Sequence, residues 1–355
     1  MRVAVLGMGP IGLGSAMLLA THGHEPVLWS PRRSNITGSA EITVEGALEH
    51  SALVSIAGSC AEALADADAV VVAVPATAYE AVFEQVAAVL RLGQAVLVSG
   101  HLSFGALYLS KLLAVRGVAA PIAAWGTTVV SGRRLSPDRA RLSSVRSQVD
   151  LASLPASATE PMLDLCLKLF GDRFRSRSGL LAVTLSNVNP QNHLAIALCN
   201  FTRIERAETW TQNTNITPSV GRLLEALDQE RLAIAGVVGV QVKTLRQHFN
   251  LSYDVAEAPL DQMASALVLK GLDPIAPKSI DTRYVLEDAP FGLYPTILLG
   301  KIFDRPARLH EAGLLTLSAL YGRDLSHENA IIPELGLARL TPATLTQLTE
   351  VGWPN

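Results

Sequence analysis

The chain has 355 residues, 49% of them hydrophobic and 17% charged, with a formal net charge of −3. That length exceeds one ordinary core, so two domains are expected, and dispersed charge with no basic block speaks against a nucleic-acid partner. Three widely separated cysteines, Cys60, Cys166 and Cys199, offer neither a disulfide framework nor a metal-ligand spacing and suit a reducing cytoplasm.

From Val3 to Thr21 the chain carries no charge. Glycines and a proline break the run, so a signal peptide or a membrane-spanning helix is not expected, and no membrane association with it. Arg2–Leu6 reads instead as a buried strand and Ile11–Gly23 as the helix after a glycine turn. Glu25–Ser30 reads as a second strand and Ile42–Ile56 as a polar-interrupted β segment. Then follow a short helix at Cys60–Ala65, a β-branched strand at Ala69–Val74, a helix at Tyr79–Leu90 and a strand at Ala95–Ser99. Gly105–Val115 reads as helix and Pro121–Trp125 as strand; Ser143–Leu151 and Arg173–Ser178 extend the sheet with strands of another direction. Apolar strands alternating with helices predict a parallel sheet covered on both faces.

Beyond about Leu185 the pattern becomes helical throughout. Helices are expected at Asn192–Trp210, Pro218–Asn250, Pro259–Leu269, Pro290–Phe303, Pro306–Leu320 and Pro342–Val351, several opened by proline in the first turn. Pro218–Asn250 is apolar enough to support a homodimer face, and a buried helix within the chain fits equally. The fold class expected is α/β followed by all-α: a Rossmann-type doubly wound sheet over residues 1–183, then a helical substrate and catalytic domain over 184–355.

The first strand-to-helix turn holds Gly7-Met-Gly9-Pro10-Ile11-Gly12. In that position the glycines permit the tight turn, the approach of a pyrophosphate to backbone, and close packing of helix on strand. The helix N-terminus then faces the phosphates with unpaired N–H groups. No acidic residue ends the second strand to hold a ribose 2′-hydroxyl. Ser30, Arg32 and Arg33 stand there instead, suited to a 2′-phosphate, so NADP(H) is expected over NAD(H). Pro75 and Thr77, after the Ala69–Val74 strand, fall where such folds approach the nicotinamide.

In the helical half, His193, Ala197 and Asn200 share one helix face by i, i+4, i+7 spacing. Asp288 lies 95 positions on and is the candidate partner of His193. A carboxylate on one imidazole nitrogen fixes the tautomer and leaves the other nitrogen to trade a proton with substrate. Two segments carry these residues: Ser186-Asn-Val-Asn189-Pro-Gln-Asn-His193 and Arg283-Tyr-Val-Leu-Glu-Asp288-Ala-Pro-Phe-Gly-Leu-Tyr-Pro295. With the glycine fingerprint ahead of them, they closely resemble the octopine/nopaline (opine) dehydrogenase family over nearly the whole chain.

That resemblance implies a histidine–aspartate catalytic pair, matched by His193 and Asp288. It also implies joining of an amino acid to a 2-oxo acid and NAD(P)H-dependent reduction of the imine to an N-(carboxyalkyl)amino acid. Small molecules are then the expected partners. Two substrate carboxylates call for cations, for which Arg283, Arg133 and Arg203 are candidates, and Asn200 is a candidate to bond substrate or orient the ring. Two other readings compete. A carbonyl reductase of the ketopantoate reductase type would need a helical-domain lysine in a context that Lys243 and Lys270 lack. A nucleotide-binding protein without catalysis is at odds with the intact His193 and Asp288 segments.

Overall fold

Short apolar runs flanked by glycine become strands because they are too brief for a helix and bury both faces. In the computed structural model, which describes residues 1–31 and 38–354, this produces an eleven-stranded sheet. Its unit spans Met1–Thr184 together with Ala343–Asn355. In chain order the elements are β1 (Arg2–Leu6), α1 (Pro10–Thr21), β2 (Glu25–Trp29), β3 (Gly38–Gly46), β4 (His50–Ile56), α2 (Cys60–Leu64) and β5 (Ala69–Val72). Next come α3 (Tyr79–Val89), β6 (Ala95–Val98), α4 (Gly105–Val115), β7 (Ile122–Trp125), β8 (Val130–Ser136), β9 (Arg139–Val145), β10 (Val149–Leu154), α5 (Thr159–Phe170) and β11 (Phe174–Ser176).

The strand order is β11-β10-β7-β6-β5-β1-β2-β4-β3-β9-β8. From β7 through β4 all neighbours are parallel, so the carboxyl ends of β1, β5 and β6 lie on one side. The order reverses direction at β1, which makes the β1/β5 boundary the switch point where a doubly wound sheet takes its ligand. Every residue of β5 and β6 is buried. β10 runs antiparallel to β7, as the expected change of direction at that edge requires.

Three local readings differ from the structure. Ser143–Leu151 is not one strand: it covers the end of β9 and the start of β10, split at Arg146-Ser-Gln148. The β8–β9 hairpin is not legible as strand, because the arginines at 133, 134, 139 and 141 mask its alternation; its apolar positions, Val130, Ala140 and Leu142, are buried. Helix α5 was likewise unexpected; its buried Met162, Cys166, Leu169 and Phe170 lie on one face.

The second unit, Leu185–Pro342, is helical. α6 (Leu180–Ser186) carries the division, followed by α7 (Asn189–Cys199), α8 (Phe201–Glu205), α9 (Pro218–Val238), α10 (Leu245–Tyr253), α11 (Leu260–Leu269), α12 (Arg283–Leu286), α13 (Tyr294–Ile302), α14 (Arg308–Tyr321) and α15 (Ile331–Leu335). A π-helical turn, Ala289–Leu293, precedes α13. The expected Pro218–Asn250 helix is two helices. Gly239 takes a left-handed conformation (φ +80°) that ends α9, and Thr244 opens α10 with a reciprocal capping box to Gln247. The apolar face of α9, including Val220, Leu224, Leu227 and Ile234, is buried inside this unit.

The last helix, α16 (Pro342–Val351), departs from the expected 184–355 domain. Ala343–Asn355 groups with the first unit, where the Trp353 backbone N–H donates to Ser110 Oγ at 2.9 Å and Lys111 Nζ lies 5.2 Å from the Trp353 ring centre. Among the described residues no helix is long and apolar enough to cross a membrane.

Candidate functional site

At the carboxyl end of β1 the backbone turns through Gly7, whose φ of +129° and whose position against Ala73 leave no room for a side chain: a Cβ would sit 2.3 Å from the Ala73 carbonyl oxygen. Gly12 is held still closer, with the place of a Cβ 1.8 Å from the Gly7 oxygen. Gly9 differs. Nothing lies within 4 Å of where its Cβ would be, so this stretch of backbone is open to a ligand. Gly9 also caps α1 without a side chain, Pro10 takes a first-turn position, and the first turn has no acidic residue. The N–H groups of Ile11 and Gly12 are therefore presented in the arrangement that receives a phosphate.

Ser30 directly follows β2, and Arg32 and Arg33 lie outside the described residues. Pro75 and Thr77 are both exposed and fall in the turn that follows β5, on the same side of the sheet as the glycine turn. A residue that composition and spacing did not single out stands nearby in topology. His101, just beyond the carboxyl end of β6, is 1% exposed, and neither ring nitrogen has a hydrogen-bond partner. Burial pushes its pKa down to about 3, so the ring is neutral. The hydroxyl of Ser99 beside it is buried and unpartnered too. Ser103 and Phe104, non-glycine residues in this loop, have left-handed φ values of 52° and 58°. Strain and unmet hydrogen bonding together are what functional loops show more often than packing loops do.

In the helical unit the two motif segments meet. Pro190 opens α7, and Gly292 in the π-helical turn packs so tightly on it that a Cβ at 292 would fall 2.2 Å from Pro190 Cγ. This contact brings Asp288, the residue ahead of the π turn, to His193 in the second turn of α7. His193 Nδ1 lies 2.6 Å from Asp288 Oδ2, with the side chains 12% and 2% exposed. With Nδ1 engaged by the carboxylate, Nε2 is the ring nitrogen that this contact leaves over. Tyr284 stacks on the imidazole, ring centres 3.7 Å apart and planes 13° from parallel. The Tyr284 hydroxyl donates to Gln212 Oε1 at 2.7 Å, and burial raises its pKa to about 12, so it remains a neutral phenol.

Below the pair lies a buried ionic network. Asp228 Oδ1 accepts from Gln191 Nε2 at 2.8 Å and from Arg231 Nη2 at 2.6 Å, and Asp228 Oδ2 accepts the Leu245 N–H that begins α10. Arg231 also donates to the Lys243 carbonyl. One buried carboxylate thus ties α7, α9 and α10 together, and Gln191 stands two residues from His193.

The remaining candidates sit less centrally. Asn200 is buried at the end of α7, with Nδ2 donating to the Ile196 carbonyl at 3.1 Å. Arg283 is 64% exposed and pairs through Nε with Glu287 Oε2 at 3.2 Å. Arg133 is exposed on β8, an edge strand of the first unit, and Arg203 lies 4.0 Å from Glu208. Lys270 Nζ donates to the Tyr253 carbonyl at 3.2 Å and lies 3.7 Å from Asp254, a surface arrangement. The i, i+4 spacing of Tyr284 and Asp288 in the sequence puts a ring and a carboxylate on one helix face, without telling what that face meets.

Comparison with known proteins bears on both units. Residues 176–321 match the family described as NAD/NADP octopine/nopaline dehydrogenase, alpha-helical domain, and residues 2–105 match the N-terminus of NAD-dependent glycerol-3-phosphate dehydrogenase. The chain is 28% identical to an opine dehydrogenase of Arthrobacter sp. (strain 1C), an alignment that covers 98% of each protein. Among solved structures, octopine dehydrogenase with NADH and L-arginine aligns over 99% of this chain and 98% of its own, with 17% identity and a TM-score of 0.78. Yersinopine dehydrogenase with NADP+ aligns over 96% and 99%, with 17% identity and a TM-score of 0.71. A ketopantoate reductase of Ralstonia eutropha JMP134 covers 95% and 100% at 15% identity, with a lower TM-score of 0.61.

Proposed function

We propose that this chain, whose helical half matches the octopine/nopaline dehydrogenase family behind a nucleotide-binding N-terminus, is an NAD(P)-dependent dehydrogenase acting on CH–NH donors that joins an amino acid to a 2-oxo acid and reduces the product to an N-(carboxyalkyl)amino acid, with His193 and Asp288 as its acid–base pair. The observation that carries this reading is the 2.6 Å contact between His193 Nδ1 and the buried Asp288 carboxylate, which leaves Nε2 for substrate.

The amine of the amino acid adds to the carbonyl carbon of the 2-oxo acid, giving a carbinolamine. His193 Nε2 donates the proton with which the hydroxyl leaves as water, and the imine remains in its protonated form, so that addition of a hydride to its carbon gives the neutral secondary amine directly. When bound, the nicotinamide coenzyme supplies the hydride that reduces this C=N bond. Asp288 stabilises the imidazolium form during each proton transfer, and such acid–base help contributes about 10²–10⁴-fold in rate. The glycine turn with the N–H groups of Ile11 and Gly12 would hold the pyrophosphate, and Pro75 and Thr77 would border the nicotinamide side. Absence of a carboxylate at Trp29-Ser30 supports NADP(H) over NAD(H), with Arg32 and Arg33 as the phosphate partners. Arg283 and Arg133 remain the proposed cations for the substrate carboxylates, and His101 offers an unmet hydrogen bond for a polar ligand atom.

The test follows NADPH absorbance with amino acids crossed against pyruvate, glyoxylate and 2-oxoglutarate. Oxidation is expected only when amine and oxo acid are both present. Equal oxidation with the oxo acid alone would replace this reading with a carbonyl reductase. Asp288→Asn is expected to lower kcat by about 10²-fold or more while coenzyme affinity stays unchanged; unchanged turnover would remove the pair.

A further inference from the structure

A hydrogen bond at one nitrogen leaves an imidazole free to swing about that contact. Asp288 alone therefore does not fix where His193 Nε2 points. A flat neighbour pressed on the ring removes this freedom. Tyr284 is such a neighbour, stacked at 3.7 Å and 13°.

The tyrosine is itself held at both ends. Its backbone N–H is bonded by the side chain of Thr282, which caps α12, and its hydroxyl donates to Gln212. Gln212 in turn is anchored by its own backbone N–H to the Pro274 carbonyl at 2.9 Å, beside an isolated β-bridge between Thr211 and Ile275. Tyr284 and Asp288 are four residues apart, so one short helical stretch supplies both the in-plane acceptor and the face that lies over the ring. Their neighbours Arg283 and Glu287, also four apart, pair with each other and so do not compete for the imidazole. On α9 and α14, which also pack on α7, Asp228 pairs with Arg231 and Glu230 with His310.

We propose that Tyr284 is a positioning residue for His193, its stacked ring fixing the plane of the imidazole and thereby the direction of Nε2. This rests on His193 being the acid–base group.

Three substitutions separate this role from simple packing. Tyr284→Phe keeps the flat face and loses the Gln212 bond, and kcat is expected to stay within about threefold of the parent. Tyr284→Leu removes the face, and kcat is expected to fall about 10–100-fold while KM for the coenzyme changes less than about twofold. Gln212→Ala should match the phenylalanine variant. If the leucine variant does not fold, Tyr284→Met, of similar bulk without a flat ring, takes its place. Leucine and phenylalanine variants with equal kcat would overturn the proposal.

A second readout needs no turnover. In ¹⁵N-histidine-labelled protein, the Nδ1 proton between His193 and Asp288 should give a sharp far-downfield resonance that persists in Tyr284→Phe and broadens away in Tyr284→Leu. Persistence of that resonance in Tyr284→Leu would sink the positioning role even if no amine and oxo acid pair ever turned over. A broadened resonance with no turnover would support it while the opine reading failed.

Discussion

His101 shows what a single side chain reveals when its hydrogen bonds are left unmade. Its folded pKa of about 3 stands below the ordinary histidine value of 6.5, because burial disfavours the charged ring. Between those values the unfolded chain binds a proton that the folded chain refuses. Stability therefore falls as pH drops from about 6.5 toward about 3, by roughly 1 kcal/mol for each pH unit from this group. His101→Gln carries no titrating ring, so its guanidinium unfolding midpoint should decline less steeply over that window than the parent's. Parallel declines in the two proteins would show that the ring is reached by water when folded. His193 is the contrasting case: its polar character was legible because the run that follows it, residues 194–199, is apolar throughout, whereas His101 lies in a loop where a histidine draws no notice.

Among elements, the approach of the π-helical turn to α7 decides whether the two motif segments can meet. Gly292 makes this contact possible, and the ring of Pro190 opposite it cannot fold away. Gly292→Ala is expected to push Asp288 away from His193 and lower kcat at least about tenfold, while far-UV circular dichroism stays that of the parent. Retained kcat would mean that the turn shifts without disturbing the pair. Much at this scale could be read beforehand. β1, α4 and α16 lie where the sequence places them, because their apolar periods are uninterrupted and their ends carry glycine or proline. The break of α9 at Gly239 was hidden because apolar residues continue on both sides of it. Tyr284 was hidden for another reason: a helical period predicts which residues share a face, but not which of two faces a second helix will cover.

Across the whole molecule, the chain passes from the first unit to the helical one near residue 184 and returns near 342. Residues 343–355 complete the nucleotide-binding unit, burying Leu345 and Leu348 and seating Trp353 beside Ser110 and Lys111. Chain shortened to residue 342 is expected to melt at lower temperature, with a loss of about 2–5 kcal/mol for the apolar side chains withdrawn from that unit. Calorimetry should place this loss in the transition that the nicotinamide coenzyme shifts; a loss confined to the other transition would instead assign the segment to the helical unit. Composition could not show such a return, since a terminal amphipathic helix looks the same whichever partner it packs on.

The double passage also sets an order of events on the ribosome. The sheet can begin to assemble as soon as its strands emerge, but the segment that reaches Ser110, just past α16, is synthesised only after the entire inserted helical unit. Until then, the growing chain holds a half-finished coenzyme domain waiting on its own downstream sequence.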